Sequence, residues 1–351
     1  MKRLLVFPLF LCGALSVIVS ADAQQPARPT ARTGAKGTVL AIGNMAYTEI
    51  DALDRDRTLF LLPVGMLEEH GPHLPIASDL IGVEYEAGQV AKRVSRSLPG
   101  WNVIVMPTIN YGATGANQLN GLPIHPGTYA IRQSTLRAMV ADIGADIVRN
   151  RFKWVFVLNG HGAPPHHVAV NEACDFISEV FNATMVNVSG LFTGDSTMRA
   201  QGVRIAGKHF SPAELSSIGL DLHAGVAETS GMLALRPDLV RRSYRTLPNV
   251  RAESVTEMRD IAGRPGWQGY WSSPARATAG YGRDIEAWWI NGMTDVILRA
   301  VRGENMLQRP RHPDILLGDT AVVGLIERSG QPEREFEQQL ERWLTQRRKT
   351  R

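Results

Sequence analysis

The sequence predicts an α/β protein built on a mostly parallel sheet with helices on both faces. Three observations carry that expectation. Short β-rich apolar runs recur along the chain, longer stretches with helical apolar spacing separate them, and two of the runs end abruptly in Gly-containing polar loops. Strands that alternate with helices favour parallel pairing, because each crossover helix covers a sheet face.

The elements follow in order. Residues 1–23 read as a signal peptide: Lys2 and Arg3 open it, Leu4 to Val19 is apolar, and Ala21-Asp22-Ala23 offers a cleavage site after Ala23. The apolar stretch is shorter than the roughly 20 residues a membrane span needs. The expected product is therefore periplasmic or secreted, with no membrane attachment after cleavage. Residues 24–36 are polar and rich in Pro, Gly and Ala, a flexible lead-in.

A single domain is expected over residues 37–302. Thr58 to Val64, Asn102 to Val105, Trp154 to Leu158 and Ala183 to Val188 read as buried strands. Leu80, Val83, Ala87, Val90, Val94 and Leu98 have helical spacing, as do Leu136, Met139, Ile143 and Ile147. A later helix carries Ile285, Trp289, Met293, Val296 and Ala300. Residues 192–220 lack a sustained period and read as a long loop near the site. Residues 303–351 form a C-terminal extension: a Pro- and Gly-punctuated connection, then an amphipathic helix with Phe336, Leu340 and Trp343 on one face. That helix is expected to pack on the body or on a neighbouring subunit.

Composition excludes some function classes. The chain has 351 residues, 44% hydrophobic and 21% charged, which suits a globular protein with a sizeable core. Its net charge of +4 is small, and the densest basic run sits at residues 347–351, so no nucleic-acid partner is expected. There are two cysteines. Cys12 leaves with the signal, so Cys174 has no intrachain partner and reads as a small core residue.

Chemistry concentrates in three segments. The first strand runs into Glu68, Glu69, His70, His73 and Asp79, threaded with Gly71, Pro72 and Pro75, which block a helix and force a loop. Carboxylates and imidazoles gathered at a strand's carboxyl end are potential ligands for zinc, manganese or iron. A second strand runs into Asn159-Gly-His-Gly162, and a third segment, Asp221 to Ser230, holds His223 and Glu228. Converging on one sheet edge, the three would suffice for a two-metal centre.

Together these segments resemble the creatininase (creatinine amidohydrolase) family. The shared motifs read Glu68-Glu-His70-Gly-Pro-His73-Leu-Pro75 with Asp79, Asn159-Gly-His161-Gly162, and His223-Ala-Gly-Val-Ala-Glu228-Thr-Ser230. His125-Pro-Gly-Thr128 and Ala277-Thr-Ala-Gly-Tyr-Gly282 add weaker matches, and the similarity spans roughly residues 58 to 300. The resemblance implies a three-layer α/β/α sandwich and hydrolysis of a non-peptide C–N bond in a cyclic amide or formamide. It implies two divalent ions, Zn2+ first and Mn2+ or Fe2+ next. Glu68 and His161 would bind one ion and His70 the other. Asp79 would bridge them, Glu228 would complete the second site, and His223 would move protons. A homo-oligomer, with a hexamer as one form, is implied too. One departure stands out: creatininase has a carboxylate two residues after the Asn-Gly-His histidine, where this chain has Ala163.

Other readings sit beside these. Glu228 could cap a helix with Thr229 and Ser230, and His223 could be a structural hydrogen-bonder. His73 reads as a loop-fixing residue and Glu69 as facing solvent or a subunit. His166 and His167 read as either pocket lining or an exposed pair. His125, His209 and His312 read as structural or exposed, and Tyr111, Trp267 and Trp271 as core or pocket wall. Rival functions are a lactonase or phosphoesterase on the same centre, or a non-catalytic exported protein that binds a metal or small ligand.

Overall fold

A computed structural model describes residues 37–118, 125–312 and 320–349. The expected signal peptide and lead-in, residues 1–36, lie outside the described residues. Five strands form one sheet in the order β1-β3-β2-β4-β5 and every pairing is parallel. They are β1 (Thr38–Ala41), β2 (Thr58–Val64), β3 (Asn102–Val105), β4 (Trp154–Asn159) and β5 (Thr184–Asn187). The short edge strand β1 was not anticipated. Its residues are mostly exposed, so it lacks the continuous apolar run that marks the buried strands.

The central strand β2 is buried along its whole length, which explains why its seven residues are so uniformly apolar. One sheet face is covered by α2 (Ser78–Ser97) and α10 (Ala279–Val301). There Val83, Ala87, Val90 and Val94 meet Ile290, Met293 and Ile297. The other face is covered by α3 (Gln133–Arg149) and α4 (Pro164–Phe181), through Leu136, Val140, Val170, Ala173 and Ile177. The result is the expected three-layer α/β/α sandwich. Cys174 sits in the second core, free and buried.

The region expected to be a loop is helical. It forms α5 (Val188–Gly194), α6 (Ser196–His209) and α7 (Pro212–Ile218). Its short helices are built from caps rather than from long apolar periods, which is why periodicity missed them. Asp195 accepts from the Thr197 and Met198 N–H groups, and Ser211 with Glu214 forms a capping box before Pro212. Three further short helices are α1 (Tyr47–Asp51), α8 (Val226–Leu235) and α9 (Val255–Ala262). No described helix is long and apolar enough to cross a membrane.

The connections position the site. The helix after β2 lies on one face of the sheet and the helix after β4 on the other, so a crevice opens between the carboxyl ends of these two neighbouring strands. Such a switch point is where open α/β sheets bind ligands.

Candidate metal centre

The loop leaving β2 is sewn down by backbone hydrogen bonds. The Leu67 N–H donates to Asn110 O, the Glu68 N–H to Ile76 O, and the Tyr129 N–H to Leu67 O. The loop then enters α2, which places Asp79 in that helix's first turn, where the helix dipole favours a carboxylate. At the end of β4, Asn159 grips the next residue but one at both ends. Its Oδ1 accepts from the His161 N–H and its Nδ2 donates to His161 O. Gly160 makes the approach possible, since a Cβ there would stand 2.8 Å from Asp79 O.

Glu68, His70, Asp79 and His161 thus meet in the crevice, each at most 8% exposed. His161 Nδ1 lies 2.9 Å from Asp79 Oδ2 and 3.1 Å from Glu68 Oε2. Its other nitrogen, Nε2, is 2.8 Å from the Thr114 carbonyl, to which it can only donate. His70 repeats the design. Its Nδ1 donates to Glu68 O at 3.0 Å, while Nε2 faces Asp79 Oδ1 at 3.1 Å and Glu228 Oε2 at 3.7 Å.

With one ring nitrogen anchored to a carbonyl, each imidazole turns the other toward carboxylates, a pattern that calls for positive charge there, supplied by a proton or by a metal cation. Two ligands of one tetrahedral ion stand about 3.3 Å apart, close to these spacings. Three three-residue sets result: Glu68–Asp79–His161 and His70–Asp79–Glu228, which share Asp79, and Glu68–His70–His223. Electrostatics point the same way. Burial opposes charge on both histidines, yet neighbouring carboxylates reverse that penalty: Asp79 foremost lifts His70 to about 10, and Glu68 foremost drives His161 well up. Burial likewise pushes Asp79 upward, and the adjacent His70 and His161 pull it below the usual carboxylate range.

The third segment reaches the crevice through α8. His223 packs against His70 with ring centroids 4.4 Å apart and planes tilted by 47°, and its Nδ1 lies 3.8 Å from Glu68 Oε1. Glu228 is in the first turn of α8, and its carboxylate turns back to the Ala224 N–H. It therefore combines the two roles the sequence left open, meeting the helix start while facing His70. Ala224 sits at φ 49°, a left-handed conformation uncommon for alanine, which bends the chain between His223 and the helix. Asp221, which the sequence reading passed over, supports this bend: its two oxygens accept from the Val226 and Ala227 N–H groups. An acidic residue shortly before a helix start is a capping signal that could have found it.

Other expectations divide. His73 fixes the loop as anticipated, its Nε2 2.8 Å from Thr229 Oγ1. Burial first, then His70 and His223, lower His73 to about 4, so it is neutral. Glu69 does not face outward. It is 5% exposed, because the Gly71 N–H donates to its Oε2 and its own N–H donates to Thr128 Oγ1. Its remaining oxygen, Oε1, has no hydrogen-bond partner and lies 3.8 Å from His223 Nε2, which also lacks one.

His166 and His167 are buried on α4 behind His161 and are not an exposed pair. Trp267 and Trp271 stack in a small core beside His223, whereas Tyr111 is exposed. His125 lies 2.8 Å from Trp267 O, and His209 pairs with Asp284 at 2.8 Å. His312 is half-buried against His167. Ala163, where creatininase carries a carboxylate, stands just before α4 and offers no ligand.

A family model described as creatininase, creatinine amidohydrolase, matches residues 43–297. A mycofactocin precursor peptide peptidase of Mycolicibacterium smegmatis is 28% identical over 251 residues, covering 69% of this chain and 85% of the relative. A creatinine amidohydrolase of Pseudomonas putida is 26% identical over 215 residues, covering 57% of this chain and 73% of the relative. A crystal structure of creatinine amidohydrolase (creatininase) aligns with a TM-score of 0.54 at 25% identity, over 75% of this chain and 98% of that one. A structure described as creatininase Mn aligns with a TM-score of 0.53 at 25% identity, over 74% of this chain and 98% of that one. With the family model matching well over half its length, this chain belongs to the creatininase (creatinine amidohydrolase) family.

Proposed function

We propose that this protein is an exported, metal-dependent amidohydrolase that cleaves a C–N bond in a small cyclic amide or formamide. The observation that carries the reading is the pair of donor sets sharing Asp79, all buried but the half-buried Glu228. Glu68, Asp79 and His161 would hold one divalent ion, and His70, Asp79 and Glu228 a second. Zn2+ suits these mixed imidazole and carboxylate donors first, Mn2+ or Fe2+ next. Three carboxylates with two neutral imidazoles match the charge of two divalent cations closely. Glu228 supplies the carboxylate that Ala163 cannot.

Such ions supply Lewis acidity, which polarises a carbonyl and makes water a nucleophile near neutral pH. The protein's own groups do the rest. The Thr114 and Glu68 carbonyls keep His161 and His70 in the tautomer that leaves one nitrogen free for binding. His223, with Nδ1 turned toward Glu68, is the proton carrier, taking a proton and passing it to the departing nitrogen. The buried walls of the crevice exclude bulk water from that transfer.

A second reading is favoured by the relatives, several of which are peptidases of a precursor peptide. In that case the scissile bond is a peptide bond and the donor set is the same. Export rests on the first 23 residues, and N-terminal sequencing of the chain secreted by a bacterial host should begin at Gln24.

The deciding experiment pairs elemental analysis with an activity panel of lactams, formamides, short peptides, lactones and phosphate esters in added Zn2+ or Mn2+. Wild type should carry two ions per chain, Asp79→Ala none, and His70→Ala one. Turnover should be confined to lactams or formamides and vanish in Asp79→Ala. Peptide turnover alone supports the second reading, and a folded, metal-free Asp79→Ala protein with full activity rejects both.

A further inference from the structure

Residues 303–351 lie beyond the stretch that the family model matches, and two parts of them are fastened to the body. The final helix, Thr320–Lys349, meets the start of α3, where the Glu333 carboxylate accepts from the Gln133 N–H at 2.9 Å. Before it, residues 306–312 run as a strap over α4, α5 and α6. Arg311 pairs with Asp175 of α4 at 2.7 Å, and Arg309 pairs with Asp195 at the start of α6 at 2.6 Å. Met306 is buried in the core shared with α10. Between these anchors the strap is pressed against the end of α5. A Cβ at Gly194 would collide with Pro310 O, so only glycine lets the chain pass there.

The strap ends behind the metal centre. The His312 ring packs against that of His167, with centroids 5.1 Å apart and planes tilted by 51°. His167 is buried, its Nε2 lies 3.2 Å from Asn159 Nδ2, and Asn187 Nδ2 stands 3.3 Å from its Nδ1. The Asn159 amide has two hydrogens to give. One goes to His161 O at 2.9 Å and the His167 ring takes the other, while Asn159 Oδ1 accepts from the His161 N–H at 3.0 Å. The amide that grips His161 is thus itself held by His167.

On the two-ion reading of the donor sets, we propose that this strap belongs to the scaffold of the metal centre, with His312 as a positioning residue. By holding the His167 ring against Asn159, it keeps His161 aimed at Glu68 and Asp79. The effect should be confined to one ion, because His161 belongs to Glu68–Asp79–His161 and not to His70–Asp79–Glu228.

Titrating Zn2+ into the metal-free full chain against a chromophoric chelator tests this without any substrate. Wild type should bind two ions per chain. In His312→Ala one ion should bind about tenfold more weakly, the lower end of the cost of losing an outer partner, and the other as in wild type. Gly194→Ala, which pushes the strap off α5 with His312 intact, should do the same. His312→Phe, which keeps a ring against His167, should bind both ions as wild type does. Two ions at wild-type affinity in His312→Ala would overturn the proposal, and so would an equal weakening of both, the sign of general loosening. A wild-type chain that binds no Zn2+ would instead remove the metal centre, and the strap's role with it.

Discussion

Glu69 shows how much a carboxylate's role depends on what the chain folds around it. Next to Glu68 and His70 it reads as the outward member of the run, yet its Oε1 is buried without a partner beside the equally unpartnered His223 Nε2. Gly269, at φ 77°, leaves room for that carboxylate, since any Cβ there would collide with it. The two atoms are 3.8 Å apart, beyond hydrogen-bond range, and a small rotation of either side chain closes the gap. An acceptor at this position would hold His223 with Nδ1 toward Glu68. On whichever substrate the panel identifies, Glu69→Gln should retain kcat within about threefold. Glu69→Leu should lose about ten- to a hundredfold, the usual cost of a supporting contact. Bound-ion content should be unchanged in both variants, and a large loss of ions in Glu69→Leu would show instead that the residue holds the metal centre itself.

At the scale of elements, the site depends on α2, α8 and α10 packing at fixed angles. Two carboxyls sit at that junction. Glu86 on α2 is buried, and Glu286 on α10 leans on α8, where a Cβ at Gly231 would stand 3.1 Å from its Oε1. Burial raises Glu286 to about 7 and, with Glu286 adding repulsion, raises Glu86 well above the ordinary glutamate range. Both folded-state values lie above the unfolded one, and Glu286 holds its extra proton between about pH 4.5 and 7. Stability from this pair is therefore fully present below that window and lost as the pH rises through it. Glu286→Gln should melt higher than wild type at pH 8, by about 1–3 kcal/mol in stability, with the gain gone at pH 4.5. Calorimetric scans at the two pH values check this, and a gain of equal size at both would disprove the titration argument.

For the molecule as a whole, the crevice brings Glu68, Asp79 and Glu228 together at the centre of a sandwich whose two cores meet across the sheet. Ions that bind only the folded chain stabilise it by mass action, about 4 kcal/mol at a thousandfold excess over Kd. Chelation should therefore lower the melting temperature by at least about 5 °C, and Zn2+ or Mn2+ should restore it. A melting curve indifferent to chelator would remove the metal centre from this account.

Much of this protein was legible along the chain. The apolar runs at Thr58 to Val64 and Trp154 to Leu158 announce buried parallel strands, because only a strand covered on both sides needs so little polarity. The Gly- and Pro-broken burst that starts at Glu68 announces a ligand loop, because Gly71, Pro72 and Pro75 keep a helix from forming until α2 opens at Ser78. Periodicity and composition could not say which nitrogen of His70 or His161 faces the carboxylates, since carbonyls at Thr114 and Glu68 make that choice. Nor could they show that residues 192–220 are helical, because caps and not apolar spacing start those helices. Local pattern reports how each segment buries its own surface. The meeting of His161, Asp79 and Glu228 depends on which strands lie side by side, a choice made only when the whole sheet assembles.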